Sequence, residues 1–181
     1  SEDHLDYHKT MEAYFDVKLD FARQIAAVRP GAPYVVCLDG GYGREMLAAV
    51  RQTGVRAIAV DRTQPAFSLE GLQLVGDYNQ SNVLTAAALA EAAGVPHAAI
   101  QAVIPTLRPR WGRLERVENP AVKGDVYVDF AHTPDGLEKV LAAARGFTPV
   151  GKRLWVVFGA GGDRDPMKRP LMGEVCAKLA D

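Results

Sequence analysis

The chain has only two cysteines, Cys37 and Cys176, far apart and in apolar segments, with no Cys-x-x-Cys spacing. Two reduced, buried thiols in a cytosolic protein are expected, rather than a disulfide or a metal cluster. Charge of one sign is missing too: 21 Lys and Arg face 22 Asp and Glu, for a net charge of -1. A nucleic-acid-binding domain usually carries a clear basic excess, so that class is set aside. Aromatics are scarce, at 8%, and only Trp111 interleaves the arginines of 108–116, too few to stack successive bases. No apolar run approaches the roughly 18–20 residues of a membrane span, and no signal peptide opens the chain. There is no phosphate loop either. The segment 146–153 nearly fits one, but Arg153 stands where a Ser or Thr hydroxyl would be needed. It also follows a helical pattern and precedes a strand pattern, the reverse of what a phosphate loop requires.

What remains is 181 residues with 48% hydrophobic and 24% charged content, the composition of a globular protein of one domain or two small ones. The chain opens at Ser1 without Met and stops at Asp181 at the end of a helical pattern, so both ends read as cuts in a longer protein. Residues 11–27 carry apolar positions at helical spacing and predict an amphipathic helix, ended by Pro30-Gly31. Residues 34–38 and 57–60 are short apolar runs, hence buried strands, with a helix at 44–53 between them and Gly54 as its cap. Strand–helix–strand with tight loops predicts a βαβ unit and a parallel sheet. An alanine-rich helix at 79–93 and another from 97 to about 103 follow. The stretch 105–120, rich in Pro and Arg and without a period, is the linker candidate. A third buried strand is expected at 126–130 and a fourth at 154–158, with a helix from Thr133-Pro134-Asp135 to 145 between them.

The densest chemistry lies at 157–170. The run ending at Phe158 stops at Gly159, Gly161 and Gly162, alternating charges follow, and a helical pattern begins at Leu171. A strand that ends in glycines and turns into a helix brings bare N–H groups to a ligand at the positive end of a helix dipole. Arg164, Lys168 and Arg169 add cationic donors, which suits an anionic small molecule.

Five motifs stand in order: Asp3-His4-Leu5-Asp6-Tyr7-His8 followed by Lys18; Gly76-Asp77-Tyr78-Asn79-Gln80-Ser81-Asn82; Gly112-Arg113-Leu114-Glu115; Val128-Asp129-Phe130-Ala131-His132-Thr133-Pro134-Asp135; and the loop from Gly161 to Pro170. Together they resemble the Mur ligase family, and most of all its MurE-type branch. That branch adds the third amino acid, diaminopimelate or lysine, to UDP-N-acetylmuramoyl-L-alanyl-D-glutamate. The likeness covers nearly the whole chain, while the chain covers only the middle of the family's length.

The resemblance implies an ATP- and Mg²⁺-dependent cytoplasmic ligase that works through an acyl phosphate, with no nucleic-acid, membrane or obligate protein partner. It implies an α/β fold: the latter part of a parallel-sheet ATPase domain over 1–112, then the start of a Rossmann-like ligase domain over 113–181. Residue by residue, it places His4 and Lys18 at Mg²⁺, with Lys18 carbamylated. Asn79 and Asn82 would contact adenine, Arg113 ATP and Asp129 the ribose. His132 would face the reacting groups, and Arg164, Asp163 and Lys168 the incoming amino acid. The residues alone leave plainer readings open. His4 reads as a capping or surface histidine, and His4 with His8 lacks a third zinc ligand. Lys18 reads as a solvated helix lysine and Asn79 as a helix cap. Asp163 and Asp165 could pair with Arg164 and Arg169 in a structural loop. Only Asp129, a carboxylate at a strand's carboxyl end, sits where open α/β sheets bind ligands on general grounds.

The chain also departs from the pattern. The phosphate loop and the UDP-binding domain are not in it, 61–76 is short, and Cys37-Leu38-Asp39-Gly40-Gly41 replaces the family's usual Asn-Ala-Asp-Asp. A non-catalytic segment with weak adenine-nucleotide binding is therefore the alternative expectation.

Overall fold

The computed structural model describes residues 8–118, 121, 123–161 and 167–181. Two compact units emerge. One gathers the residues up to Leu72 with Asn79–Leu107, and the other Gln73–Tyr78 with Arg108–Asp181.

In the first unit, helix α1 (Met11–Val28) begins at Thr10, whose hydroxyl accepts from the Ala13 N–H at 3.1 Å. This bond satisfies one of the orphan donors of the first turn. Phe15, Leu19, Ala22 and Ala26 recur at three- and four-residue steps and form its inward stripe. Gly31, at φ +73, lets the chain reverse into the sheet and donates its N–H to the Gly54 carbonyl at 2.9 Å. Strands β1 (Pro33–Cys37) and β2 (Arg56–Val60) pair in parallel, with Val35 beside Ile58 and Cys37 beside Val60. Helix α2 (Gly43–Val50) connects them. Its start requires glycine: a Cβ on Gly43 would lie 2.6 Å from the Cys37 carbonyl oxygen and 2.7 Å from Leu38 Cα. The expected parallel βαβ unit is thus present. Its core is Leu19, Ala22, Val36, Leu47, Val50 and Val55. Each large side chain fully buried there contributes about 1.5–3 kcal/mol.

Helices α3 (Asp77–Ala92) and α4 (His97–Val103) follow, and a short 3₁₀ turn, Ile104–Thr106, closes this part of the chain. Phe67, in the connection from β2 to α3, is buried and stacks on the His97 ring at 4.3 Å. Next to it, Gln101 Oε1 accepts from the Ser68 N–H and Gln101 Nε2 donates to the Ser68 carbonyl, both at 2.9 Å.

In the second unit, helix α5 (Pro134–Phe147) starts as its sequence predicts. The Thr133 hydroxyl accepts from the Gly136 N–H at 3.1 Å, with Pro at the first position. Leu137 and Leu141 of α5 pack on Met172 and Cys176 of α6 (Lys168–Leu179), and Leu154 and Val156 close this core from the side. Leu154 also donates its N–H to the Asp181 carboxylate at 2.7 Å, while the Asp181 N–H donates to the Leu154 carbonyl at 2.9 Å.

Two strand expectations need correction here. The third strand is shorter, β4 (Val126–Val128), and half-exposed. It pairs antiparallel with β3 (Glu115–Val117), a strand that falls inside the stretch read as linker. The segment 154–158 lies in no ladder. Leu154 and Val156 face the core, but Trp155 and Val157 are exposed, so the run is apolar without being buried on both sides. Both cysteines are free thiols, as expected, but only Cys176 is buried; Cys37 is half-buried. No helix among the described residues is long and apolar enough to cross a membrane.

Candidate functional site

In the first unit, the sequence motifs gather at the carboxyl end of the parallel strands and along α1. Lys18 lies on α1, exposed, with Nζ 5.4 Å from the centre of the Tyr14 ring. Its backbone carbonyl accepts from the Tyr34 hydroxyl at 3.3 Å. The side chain borders an open cleft of about 360 Å³, whose floor is β1 and whose far wall is the glycine loop Gly40, Gly41 and Tyr42. An ammonium over an aromatic face is in a cation–π arrangement, and a cation cannot ligate Mg²⁺. Among the described residues no group of three or more His, Cys, Asp or Glu could hold a metal ion. The described residues therefore do not by themselves fit Mg²⁺, and His4 lies outside them.

Asn79 and Asn82 occupy the first turns of α3, Asn79 half-buried and Asn82 exposed. Between them Ser81 is buried, and its hydroxyl donates to Asp39 Oδ2. Arg62 Nε stands 3.7 Å from the same oxygen. Asp39 lies just beyond the carboxyl end of β1, in a parallel pair, where open α/β sheets bind ligands; Asp129 follows β4, whose pairing is antiparallel, so the strand-end rule that singled it out does not apply to it. The Leu38-Asp39-Gly40-Gly41 run after an apolar stretch carries that strand-end signal in the sequence. Asp61, at the end of β2, accepts from the Thr63 hydroxyl and N–H, and these bonds hold its carboxyl below the ordinary aspartate value.

In the second unit, Arg113, Asp129 and His132 come together. The turn Gly112-Arg113-Leu114-Glu115 is fastened at three points. The Gly112 carbonyl accepts from the Phe130 N–H at 2.8 Å, the Gly112 N–H donates to Glu115 Oε2 at 2.9 Å, and the Leu114 N–H donates to Asp129 Oδ2 at 2.8 Å. Leu114 takes a left-handed conformation, φ +46, which costs a non-glycine residue about 1–2 kcal/mol. It is held there by its own burial and by Asp129. The other Asp129 oxygen accepts from the Ala131 N–H at 2.8 Å. Asp129 thus has a structural task, and a carboxylate with about four lone-pair sites keeps two for a ligand. The exposed Phe130 ring lies between the Arg113 guanidinium, 5.5 Å from its centre, and the His132 imidazole, 5.2 Å away. His132 Nδ1 lies 3.0 Å from the Phe130 carbonyl oxygen. Lys168 opens α6, half-buried. Asp163 and Arg164 lie outside the described residues.

Comparison with known proteins adds to this geometry. Residues 1–71 match the family model described as Mur ligase middle domain, and residues 112–181 match Mur ligase, glutamate ligase domain. The chain is 40% identical to a UDP-N-acetylmuramoyl-L-alanyl-D-glutamate–2,6-diaminopimelate ligase of Zymomonas mobilis, over 100% of this chain and 41% of that protein. It is 41% identical to the ligase of the same name from Caulobacter vibrioides, with the same two shares. Both alignments are 204 positions long against 181 residues here, so those relatives carry about two dozen residues that this chain lacks. A solved structure of a ligase of that name superposes with a TM-score of 0.62 at 29% identity, covering 100% of this chain and 41% of the other. The chain spans about two fifths of the length of the curated relatives it matches.

Proposed function

Since this chain belongs to the Mur ligase family, we propose that it is part of an ATP-dependent ligase that joins 2,6-diaminopimelate to UDP-N-acetylmuramoyl-L-alanyl-D-glutamate. The observation that carries this reading is the end-to-end likeness: the whole chain aligns, at about 40% identity, with ligases whose names state that substrate and that amino acid. The reaction passes the ATP γ-phosphate to the substrate carboxylate. The amino acid's amine then attacks the acyl phosphate, an amide forms, and phosphate leaves. Charge builds on oxygen in both steps, so preorganised cationic donors carry much of the work.

Residues 1–112 are proposed as the latter part of the central ATP-binding domain and 113–181 as the start of the C-terminal ligase domain. Asn79 and Asn82 would read adenine, because a carboxamide offers donor and acceptor to the same base edge. Arg113, aimed by its fastened turn, would meet phosphate, and Asp129 would take a ribose hydroxyl on its remaining lone pairs. His132 would lie near the reacting groups. Arg164 would grip the amino acid's carboxylate, which a guanidinium does bidentately, with Asp163 and Lys168 beside it. Mg²⁺ would accompany ATP, with His4 and Lys18 serving it, Lys18 only after carbamylation makes it an anion. The enzyme would act in the cytoplasm.

A second reading rests on a specific observation. With no phosphate loop in its 181 residues, the stretch by itself would be non-catalytic, with at most weak nucleotide affinity. Two assays separate the readings. A longer protein that contains this stretch is expected to release ADP only when both the UDP-linked dipeptide and diaminopimelate are present. Calorimetric titration of the 181-residue chain with Mg²⁺ and an ATP analogue should show binding that Asn79→Ala and Arg113→Ala weaken. ADP release that ignores the amino acid sinks the ligase reading. Binding indifferent to both substitutions sinks the site.

A further inference from the structure

We propose that Asp39 is a positioning residue that sets the adenine preference of the nucleotide site, acting through Ser81 on the first turn of α3. The proposal rests on the reading that Asn79 and Asn82 face adenine. Among the described residues Ser81 is the one polar side chain buried with the core, at 7% exposure. On a helix of 3.6 residues per turn, Asn79 and Asn82 lie about 60° apart, whereas Ser81 is about 160° from Asn79. Asn79, half-buried, thus lies nearly opposite Ser81, and exposed Asn82 about 100° round from it, on a turn whose back is fixed. The Ser81 hydroxyl donates to Asp39 Oδ2, and Thr85 Oγ1 donates back to the Ser81 carbonyl at 2.7 Å. Asp39 follows β1, and Arg62, 3.7 Å from the same carboxylate oxygen, follows β2. One oxygen thus ties the tips of both parallel strands to the turn that carries the amides.

Hydrogen bonds weaken steeply as their angles open. Adenine offers a donor and an acceptor on one edge, while guanine offers two acceptors there. A carboxamide distinguishes the two only while its donor and acceptor are both aligned. Loosening the turn should therefore erode base choice before it erodes affinity for phosphates, which depends on charge rather than direction.

The test uses the 181-residue chain and its variants Asp39→Ala, Ser81→Ala and Ser81→Thr. Hydrogen exchange is followed at the amides of residues 81–84, which bond to the first turn, and at 89–92 of the same helix. Adenylyl and guanylyl imidodiphosphates with Mg²⁺ are titrated calorimetrically. The two alanine variants should speed exchange at 81–84 by about tenfold or more, the scale of losing a hydrogen bond to a charged group, and leave 89–92 nearly unchanged. Adenine-over-guanine preference should fall by a similar factor, and Ser81→Thr, which keeps the hydroxyl, should restore both. Unchanged exchange overturns the anchor. A loosened turn with unchanged preference overturns the selectivity role. If the unaltered chain binds neither nucleotide, the adenine reading fails and takes the selectivity role with it, while the exchange data still judge the anchor. Should Asp39→Ala unfold the unit, Ser81→Ala, which removes one oxygen only, decides.

Discussion

Replacing Asp129 by Asn tests whether the turn that aims Arg113 is held by this one carboxylate. Each Asp129 oxygen accepts one backbone N–H at 2.8 Å, from Leu114 and from Ala131. Asparagine matches the shape but has only one acceptor oxygen. One of the two N–H groups then faces an NH₂, in a site that is half-buried. Hydrogen bonds to charged groups are worth about 1.5–3 kcal/mol, and a stranded buried donor costs about 1–3 kcal/mol. Partial exposure lets water recover some of that, so a net loss of about 2 kcal/mol is expected. Leu114 adds to the sensitivity: its left-handed backbone at φ +46 persists only while the surroundings hold it. Two kcal/mol corresponds to roughly a 30-fold rise in exchange from global opening. The assay is native-state hydrogen exchange at α5 and α6, which lie in the same unit as Asp129 but away from the turn. Asp129→Glu, which keeps the charge but moves it by one methylene, should fall between the two. If Asp129→Asn leaves α5 and α6 protection unchanged, the carboxylate does not hold the turn, and its role would lie with a ligand alone.

Gly43→Ala should destabilise the first unit by about 1–3 kcal/mol, because the added methyl meets backbone atoms of Cys37 and Leu38 that no rotamer can move aside. A thermal melt followed through α1 and α2 checks this, and a variant as stable as the parent would contradict the packing at the tip of β1. The Leu154 N–H and the Arg145 guanidinium hold the Asp181 carboxyl below its ordinary value of 3.8. A carboxyl depressed in the folded state supports stability above about pH 4 and withdraws it as pH falls through the folded value. The Leu154 amide resonance should therefore titrate with a midpoint below 3.8 and lose that titration in Asp181→Asn. A midpoint above 3.8 would mean that the clamp does not form.

The helices were readable because their signals are local. Thr133-Pro134-Asp135 states where α5 begins, and Phe15, Leu19, Ala22 and Ala26 state which side of α1 turns inward. The strands β1 and β2 were readable because each is a short, almost wholly apolar run bounded by turn residues, although only Val36 and Val60 within them are buried. Strand β3 was hidden: Glu115-Arg116-Val117 is largely exposed, and Arg116 pairs with Asp125, just ahead of the opposite strand, rather than with anything local. The run 154–158 misled for the opposite reason. Its apolar residues predict a strand, but a strand is completed by a neighbour's hydrogen bonds, and composition carries no record of the neighbour. At the candidate site, the sequence marked Arg113, Asp129 and His132 separately. That they share one turn and one aromatic ring follows from pairing between segments some fifteen residues apart, which no short motif encodes. Asp39 and Ser81 are separated by 42 positions, and only the fold joins them.

The Gln101 side chain acts as a detached piece of backbone. A primary amide carries one carbonyl and an NH₂, the same polar equipment as a single peptide unit. With one oxygen accepting from the Ser68 N–H and one nitrogen donating to the Ser68 carbonyl, the side chain stands in for one residue of an adjacent strand. Each backbone unit carries one donor and one acceptor, and here a helix side chain meets both, although Ser68 itself is exposed. The stretch around Ser68 is therefore held to α4 at two neighbouring points, the Phe67 ring on His97 and the Ser68 backbone on Gln101. A helix side chain and a buried ring thus do here what a neighbouring strand does elsewhere.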